Sequence, residues 1–151
     1  MSQEVYYKQG VYPIKHKEKY VGTLPCIYRS SQEYCLMKWC DINDKVEKWS
    51  SESVTIPYRK PTDNKYHRYF VDFSVFYRNS DGSIQKYLLE YKPKKFTVRP
   101  EKTKRMSEKT YRYLCETYLI NQAKWKAANE YARKHNAKFM VISEDSIGLT
   151  V

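Results

Sequence analysis

Apolar and polar positions alternate most clearly from Tyr66 to Arg78, where the chain reads YHRYFVDFSVFYR. Side chains alternate across a strand, so this stretch predicts one long strand. Phe70, Asp72, Ser74 and Phe76 share one face, and Val71, Phe73, Val75 and Tyr77 the other. Asn79-Ser80-Asp81-Gly82 predicts a hairpin turn, because Asp-Gly tolerates the positive φ such turns need. Ile84–Lys92 (IQKYLLEYK) then returns as the antiparallel partner, and Pro93 ends it. Upstream, the β-branched run Val54-Thr55-Ile56 predicts a strand over Ser53–Tyr58, stopped by Pro57 and the polar loop at 59–65. Lys138–Ser143 (KFMVIS) predicts a last, buried strand.

Two stretches carry helical signals. Ser30 and Glu33 have the S-x-x-E spacing of a reciprocal N-terminal cap. The helix they open contains Leu36, Met37, Trp39 and Cys40 and ends in the turn-forming residues Asp41 to Asp44, with a short extended piece at Val46–Trp49 after it. A second helix is predicted from near Ser107 to His135, broken near Asn121, with Tyr118, Trp125, Ala128 and Ala132 as its apolar stripe. Asn136-Ala137 stops it. Residues 1–29 show no period. They are basic and Tyr-rich, with Gly10, Pro13, Gly22 and Pro25, and predict an irregular N-terminal arm. The order helix, strand, strand, strand, helix, strand at 30–151 predicts one α/β domain with a central mixed sheet flanked by helices.

Composition sharpens this. The chain has 151 residues, 16% of them aromatic, which excludes a disordered chain. Its 28 Lys+Arg against 17 Asp+Glu give a net charge of +11, which favours a polyanionic partner, with nucleic acid the commonest. Residues 92–112 hold nine Lys/Arg and two Glu, the densest basic stretch. No apolar run approaches the roughly 18 residues of a membrane span, and Met1–Gly10 lacks an export-signal core. Cys26, Cys35, Cys40 and Cys115 form no CxxC pair, so reduced thiols are expected rather than a zinc site.

One constellation carries chemistry. Glu90 and Lys92 point to the same face of a strand, and Asp72 sits 18 positions earlier on its neighbour, among apolar residues. Two carboxylates suit a hard divalent cation such as magnesium or manganese. A lysine beside them can poise a water or neutralise a phosphate, which metal-assisted phosphodiester hydrolysis needs. The plain alternative is a solvated Glu–Lys pair and an unrelated edge-strand Asp. Against it stands the cost of leaving a lone carboxylate in apolar surroundings.

This element order and these residues resemble the PD-(D/E)XK nuclease superfamily, with its restriction-endonuclease-like αβββαβ core. Asp72 takes the Asp place, Glu90 the (D/E) place and Lys92 the Lys place, while Val71 stands where the motif's Pro would be. Glu33 matches the acidic residue that the superfamily often adds from the first core helix. The segments YVGTLPCIYRSSQE (20–33), IPYRKPTDNKYHRYFVDF (56–73), YLLEYKPKK (87–95) and KWKAANEYARKHNAKFMVISE (124–144) are similar to the head completion nucleases of T-even-like tailed phages. That resemblance implies a metal-dependent DNA nuclease acting on double-stranded DNA after packaging. It implies a place in the virion, in the host cytoplasm during assembly, and contact with head and neck proteins. It implies catalysis by Asp72, Glu90, Lys92 and Glu33, with the three carboxylates on the metal. Arg68, Lys94, Lys95, Arg99, Lys102, Lys104, Arg105 and Lys124 are the expected phosphate contacts. Two alternatives remain: a non-catalytic DNA-binding or virion structural protein with a degenerate nuclease fold, and a transposase- or repair-type endonuclease of the same fold.

Overall fold

The computed structural model describes residues 9–146. The short strands β1 (Gly10–Val11) and β2 (Ile27–Tyr28) pair antiparallel ahead of helix α1 (Ser31–Ile42). Five strands follow: β3 (Val46–Ser51), β4 (Thr55–Lys60), β5 (Lys65–Phe70), β6 (Phe73–Arg78) and β7 (Ile84–Tyr91). Helix α2 (Glu108–Lys134) then crosses to β8 (Ala137–Ile142). The main sheet has the order β3-β6-β7-β8, antiparallel except for the parallel β7–β8 pair that the α2 crossover requires. β4 and β5 form a separate two-stranded ribbon.

The alternation along the strands gives the sheet two buried faces. Trp49, Phe73, Val75 and Leu89 pack against Leu36, Met37 and Cys40 of α1. Leu88 and the half-buried Phe139 and Val141 pack against Trp125, Ala128 and Ala132 of α2, together with Ile56, Tyr58 and Tyr69 of the ribbon. Each large side chain buried this way contributes roughly 1.5–3 kcal/mol of transfer free energy. Among the described residues no helix is long and apolar enough to cross a membrane. All four cysteines carry free thiols, with Cys26 and Cys40 buried.

The α/β architecture is the expected one, and several details depart from expectation. The predicted strand over Tyr66–Arg78 is two strands. The chain bends at Val71-Asp72, so β5 joins the ribbon and β6 joins the main sheet. Pro57 does not stop its strand. It sits in the middle of β4, opposite Arg68, on a ribbon whose outer edge needs no donor there. The first strand of the αβββαβ core is therefore β3, the piece expected to be short, while Thr55–Phe70 is an inserted hairpin. α1 runs two residues past Cys40 and buries Asp41 completely. α2 is continuous through Asn121, which lies buried on its inner face. The hairpin turn forms as expected, with Gly82 at φ +89° and its N–H bonded to the carbonyl of Asn79.

Residues expected to be irregular are tied down. Tyr12, Cys26 and Tyr28 belong to the α1-side core. The buried Asp41 carboxylate accepts from Tyr12 Oη at 2.9 Å, Lys15 N at 2.7 Å and His16 N at 2.9 Å. Lys19 Nζ reaches the carbonyls of Asp41 and Asn43. Residues 1–8 and 147–151, the outer ends of the expected arm and domain, lie outside the described residues.

Candidate active site

The bend between β5 and β6 places Asp72 at the end of the sheet where β7 finishes. Asp72 Oδ2 accepts from Tyr91 N at 2.9 Å, and the Asp72 carbonyl accepts from Glu52 N at 2.9 Å. Both main-chain bonds fix the carboxylate between β3 and β7. Glu90, one residue before Tyr91, faces the α2 side and is 7% exposed. Tyr69 Oη donates to its Oε1 at 2.7 Å, and Lys92 Nζ lies 3.7 Å from its Oε2. Each Glu90 oxygen therefore has a designated neighbour, one neutral and one cationic. Lys124 of α2 lies with its Nζ 5.8 Å from the Tyr58 ring centre and 5.5 Å from that of Tyr69.

The electrostatics make this a single cluster. Burial pushes the Asp72 carboxyl well above the ordinary range, and the Glu90 charge adds to that. The Tyr91 N–H and the Lys92 charge pull the other way, and Glu33 raises it further. Burial also raises Glu90, opposed by the Tyr69 hydrogen bond and by Lys92 and Lys124. Burial lowers the Lys124 ammonium, while Glu90 and Asp72 favour its charged form. Two desolvated carboxylates thus share a site with too little positive charge to hold both ionised comfortably. Desolvation together with a specific charge partner makes this pair a functional-site candidate.

Glu33 acts on Asp72 through its charge, while its own hydrogen bonds lie at the start of α1. Ser30 Oγ accepts from Glu33 N at 3.1 Å, as the cap spacing predicts. The reciprocal bond differs, because Glu33 Oε1 accepts from Arg29 N at 2.8 Å and not from Ser30 N. Burial raises the Glu33 carboxyl, against the Arg29 N–H bond. Among the described residues no three His, Cys, Asp or Glu side chains are grouped as a ready-made metal cage.

Of the residues expected to meet phosphate, Arg68, Lys94, Lys95, Arg99, Lys102, Lys104 and Arg105 are exposed. Lys94 pairs with Asp145 at 3.3 Å and Lys102 with Glu108 at 3.6 Å. Lys124 is half-buried beside Glu90 and belongs to the cluster rather than to the exposed basic track. Sequence reasoning missed Tyr69 as the partner of Glu90. Alternation along β5 carried the signal, since Tyr69 has the opposite parity to Arg68 and Phe70. It also missed Glu52, which follows β3 at φ +51° and bonds Arg29 Nη1 at 2.8 Å. No local pattern announces a left-handed glutamate.

Comparison with known proteins places the chain in a family. The family model described as TnsA-like endonuclease N terminal matches residues 43–144, which hold Asp72, Glu90 and Lys92. A protein of Enterobacteria phage T4 named "Head completion nuclease" is 34% identical over 142 residues, covering 91% of this chain and 92% of that protein. No solved structure matches significantly. With the match spanning the ribbon, the central strands, α2 and β8, and the phage relative matching nearly end to end, the chain belongs to the TnsA-like endonuclease family and is a homologue of the phage T4 head completion nuclease.

Proposed function

We propose that this protein is a divalent-metal-dependent DNA nuclease that trims or cuts DNA during completion of a phage head, after packaging. The observation that carries the reading is the pairing of Asp72 with Glu90 at the end of the sheet, with Lys92 Nζ 3.7 Å from Glu90. The family description supports an endonuclease, and the phage relative supports the biological setting. TnsA-like naming would equally suit a transposase-type enzyme. The coverage of 92% of the phage protein favours the head-completion role, with a place in the virion and contact with head and neck proteins.

The donor set fits magnesium or manganese. Magnesium takes one or two carboxylates and leaves its other positions to waters and substrate phosphate, so Asp72 and Glu90 suffice without a closed cage. Such an ion, when bound, screens the scissile phosphate and makes a water easier to deprotonate. The chain's own groups do the rest. Tyr69 locks the rotamer of Glu90, and the Tyr91 N–H orients Asp72. Lys92 holds a proton-bearing cation where water and phosphate meet, and Lys124 adds positive charge behind it. Glu33 supplies a further negative charge that reaches Asp72. Circular and linear duplex DNA, incubated with the protein in magnesium and in EDTA, test the reading: cutting is expected in magnesium alone. Intact DNA in both, across magnesium and manganese, would sink it.

The loop at 93–106, exposed along most of its length, is proposed as the duplex-backbone contact. Each phosphate neutralised contributes about 0.9 to the slope of log affinity against log salt. Replacing Lys95, Arg99, Lys104 and Arg105 by Ala is expected to flatten that slope by about two to four units. An unchanged slope would move the backbone contact elsewhere.

A further inference from the structure

We propose that the outer face of the β4–β5 ribbon is a stacking platform for an unpaired DNA strand, delivering a frayed or tailed end to the nuclease centre. It rests on the nuclease reading above and narrows its substrate. An ordinary hairpin packed on a helix buries its apolar side chains and shows water its polar ones. Here the inner face is aromatic, with Tyr58 and Tyr69 buried, and the outer face is aromatic as well. Tyr66 is 69% exposed and Phe70 46% exposed, four residues apart on β5 and hence on the same side. Arg68 stands between them, also exposed. The register sets Arg59 opposite Tyr66, Pro57 opposite Arg68 and Thr55 opposite Phe70, all outward.

Charge chooses the occupant. The ribbon and its turn carry Arg59, Lys60, Lys65 and Arg68 against the single carboxylate of Asp63. The guanidinium carbons of Arg59 and Arg68 lie 5.0 Å and 5.5 Å from the ring centres of Tyr66 and Phe70. Rings bracketed by arginine suit a nucleobase with its phosphate far better than an apolar protein surface. Within a duplex the base faces are hidden by their neighbours, so flat rings find partners only where strands are unpaired. Position adds the last link. Tyr69, between Arg68 and Phe70, is the residue that bonds Glu90, and Asp72 follows two positions after Phe70. A strand stacked along the outer face therefore runs toward the carboxylate pair at the ribbon's base.

The test measures binding by full-length protein in EDTA, where no cutting occurs. A blunt duplex is compared with the same duplex carrying a short unpaired tail. The wild type is expected to prefer the tailed DNA by about tenfold or more. Tyr66→Ala and Phe70→Ala should each lower that ratio several-fold, and the double variant should bring it near one. Phe70→Trp should restore or raise it, because a larger π face still stacks. Tyr66→Ala leaves the buried face of the ribbon untouched, and its melting temperature should match the wild type. Equal wild-type affinity for the two DNAs, or a ratio unmoved in the double variant, would overturn the proposal. Failure of the nuclease reading shows separately, as tailed DNA left intact in magnesium and in manganese while the tail preference in binding persists.

Discussion

Asp72→Ala, Glu90→Ala and Lys92→Ala are each expected to lower cleavage at saturating DNA by about a thousandfold or more, equivalent to losing roughly 4 kcal/mol of barrier reduction. In the proposed site the two carboxylates are the minimal ligand set, so neither would compensate for loss of the other. Lys92 Nζ lies 3.7 Å from Glu90, and its removal would take away the cation proposed to meet water and phosphate. Stability should move differently. Asp72 is desolvated and repelled by Glu90, so replacing it relieves a cost that folding otherwise bears. Loss of the Tyr91 N–H acceptor opposes that relief, so the Asp72→Ala protein should melt close to the wild-type temperature. Glu90→Ala leaves the Tyr69 hydroxyl without its acceptor and should cost about 1–2 kcal/mol. Glu33→Gln keeps an oxygen for Arg29 N but loses its charge, so a smaller loss of rate with an intact fold is expected. Normal cleavage by Glu90→Ala, or a collapse in melting temperature for Asp72→Ala, would contradict the site assignment.

Asp41→Ala is expected to destabilise the whole fold, by about 3–5 kcal/mol. The carboxylate is fully buried and accepts from one hydroxyl and two main-chain N–H groups, and Ala would leave all three without partners. Burial alone would raise this carboxyl. The N–H groups of Lys15 and His16 and the Tyr12 hydroxyl outweigh that and hold it below the ordinary range. A depressed carboxyl adds stability that is present above the unfolded value near 3.9 and is lost as pH falls through the folded one. Thermal melts should therefore show wild-type stability falling below about pH 4, a fall that Asp41→Ala lacks in part. Asp41→Asn should be intermediate, since its one oxygen cannot serve three donors. A variant that melts within a degree or two of wild type would mean that residues 12–19 are held by packing alone. The prediction also reaches the site. α1 carries both Asp41 and Glu33, and the segment that Asp41 anchors leads to Arg29, the main-chain donor to Glu33.

The triad was legible because its signal is local and periodic: Glu90 and Lys92 alternate on one strand, and the apolar residues around Asp72 make a lone carboxylate there conspicuous. The helices were legible from their caps, Ser30 and Ser107, whose hydroxyls accept from Glu33 N and Thr110 N. What local pattern hid was the bend at Val71-Asp72. Alternation runs unbroken through those residues, so only pairing with two different partners reveals that one run serves two sheets. Pro57 misled because a proline forbids a central strand but not an edge of a two-stranded ribbon. Asp41 misled because Asp-Ile-Asn-Asp reads as a helix stop. Its three donors come from residues 25 to 29 positions earlier, beyond the reach of any helical or strand period.

That Asp72 and Glu90 together hold one divalent cation is the claim on which the rest depends. Titration of manganese into wild-type protein and into Asp72→Ala, followed by the paramagnetic signal of the free ion, reaches it without any assay of cleavage. The wild type should remove manganese from solution at a site that magnesium competes for. Asp72→Ala, folded and melting normally, should leave it free over the same range. Equal manganese uptake by the two proteins would contradict the account.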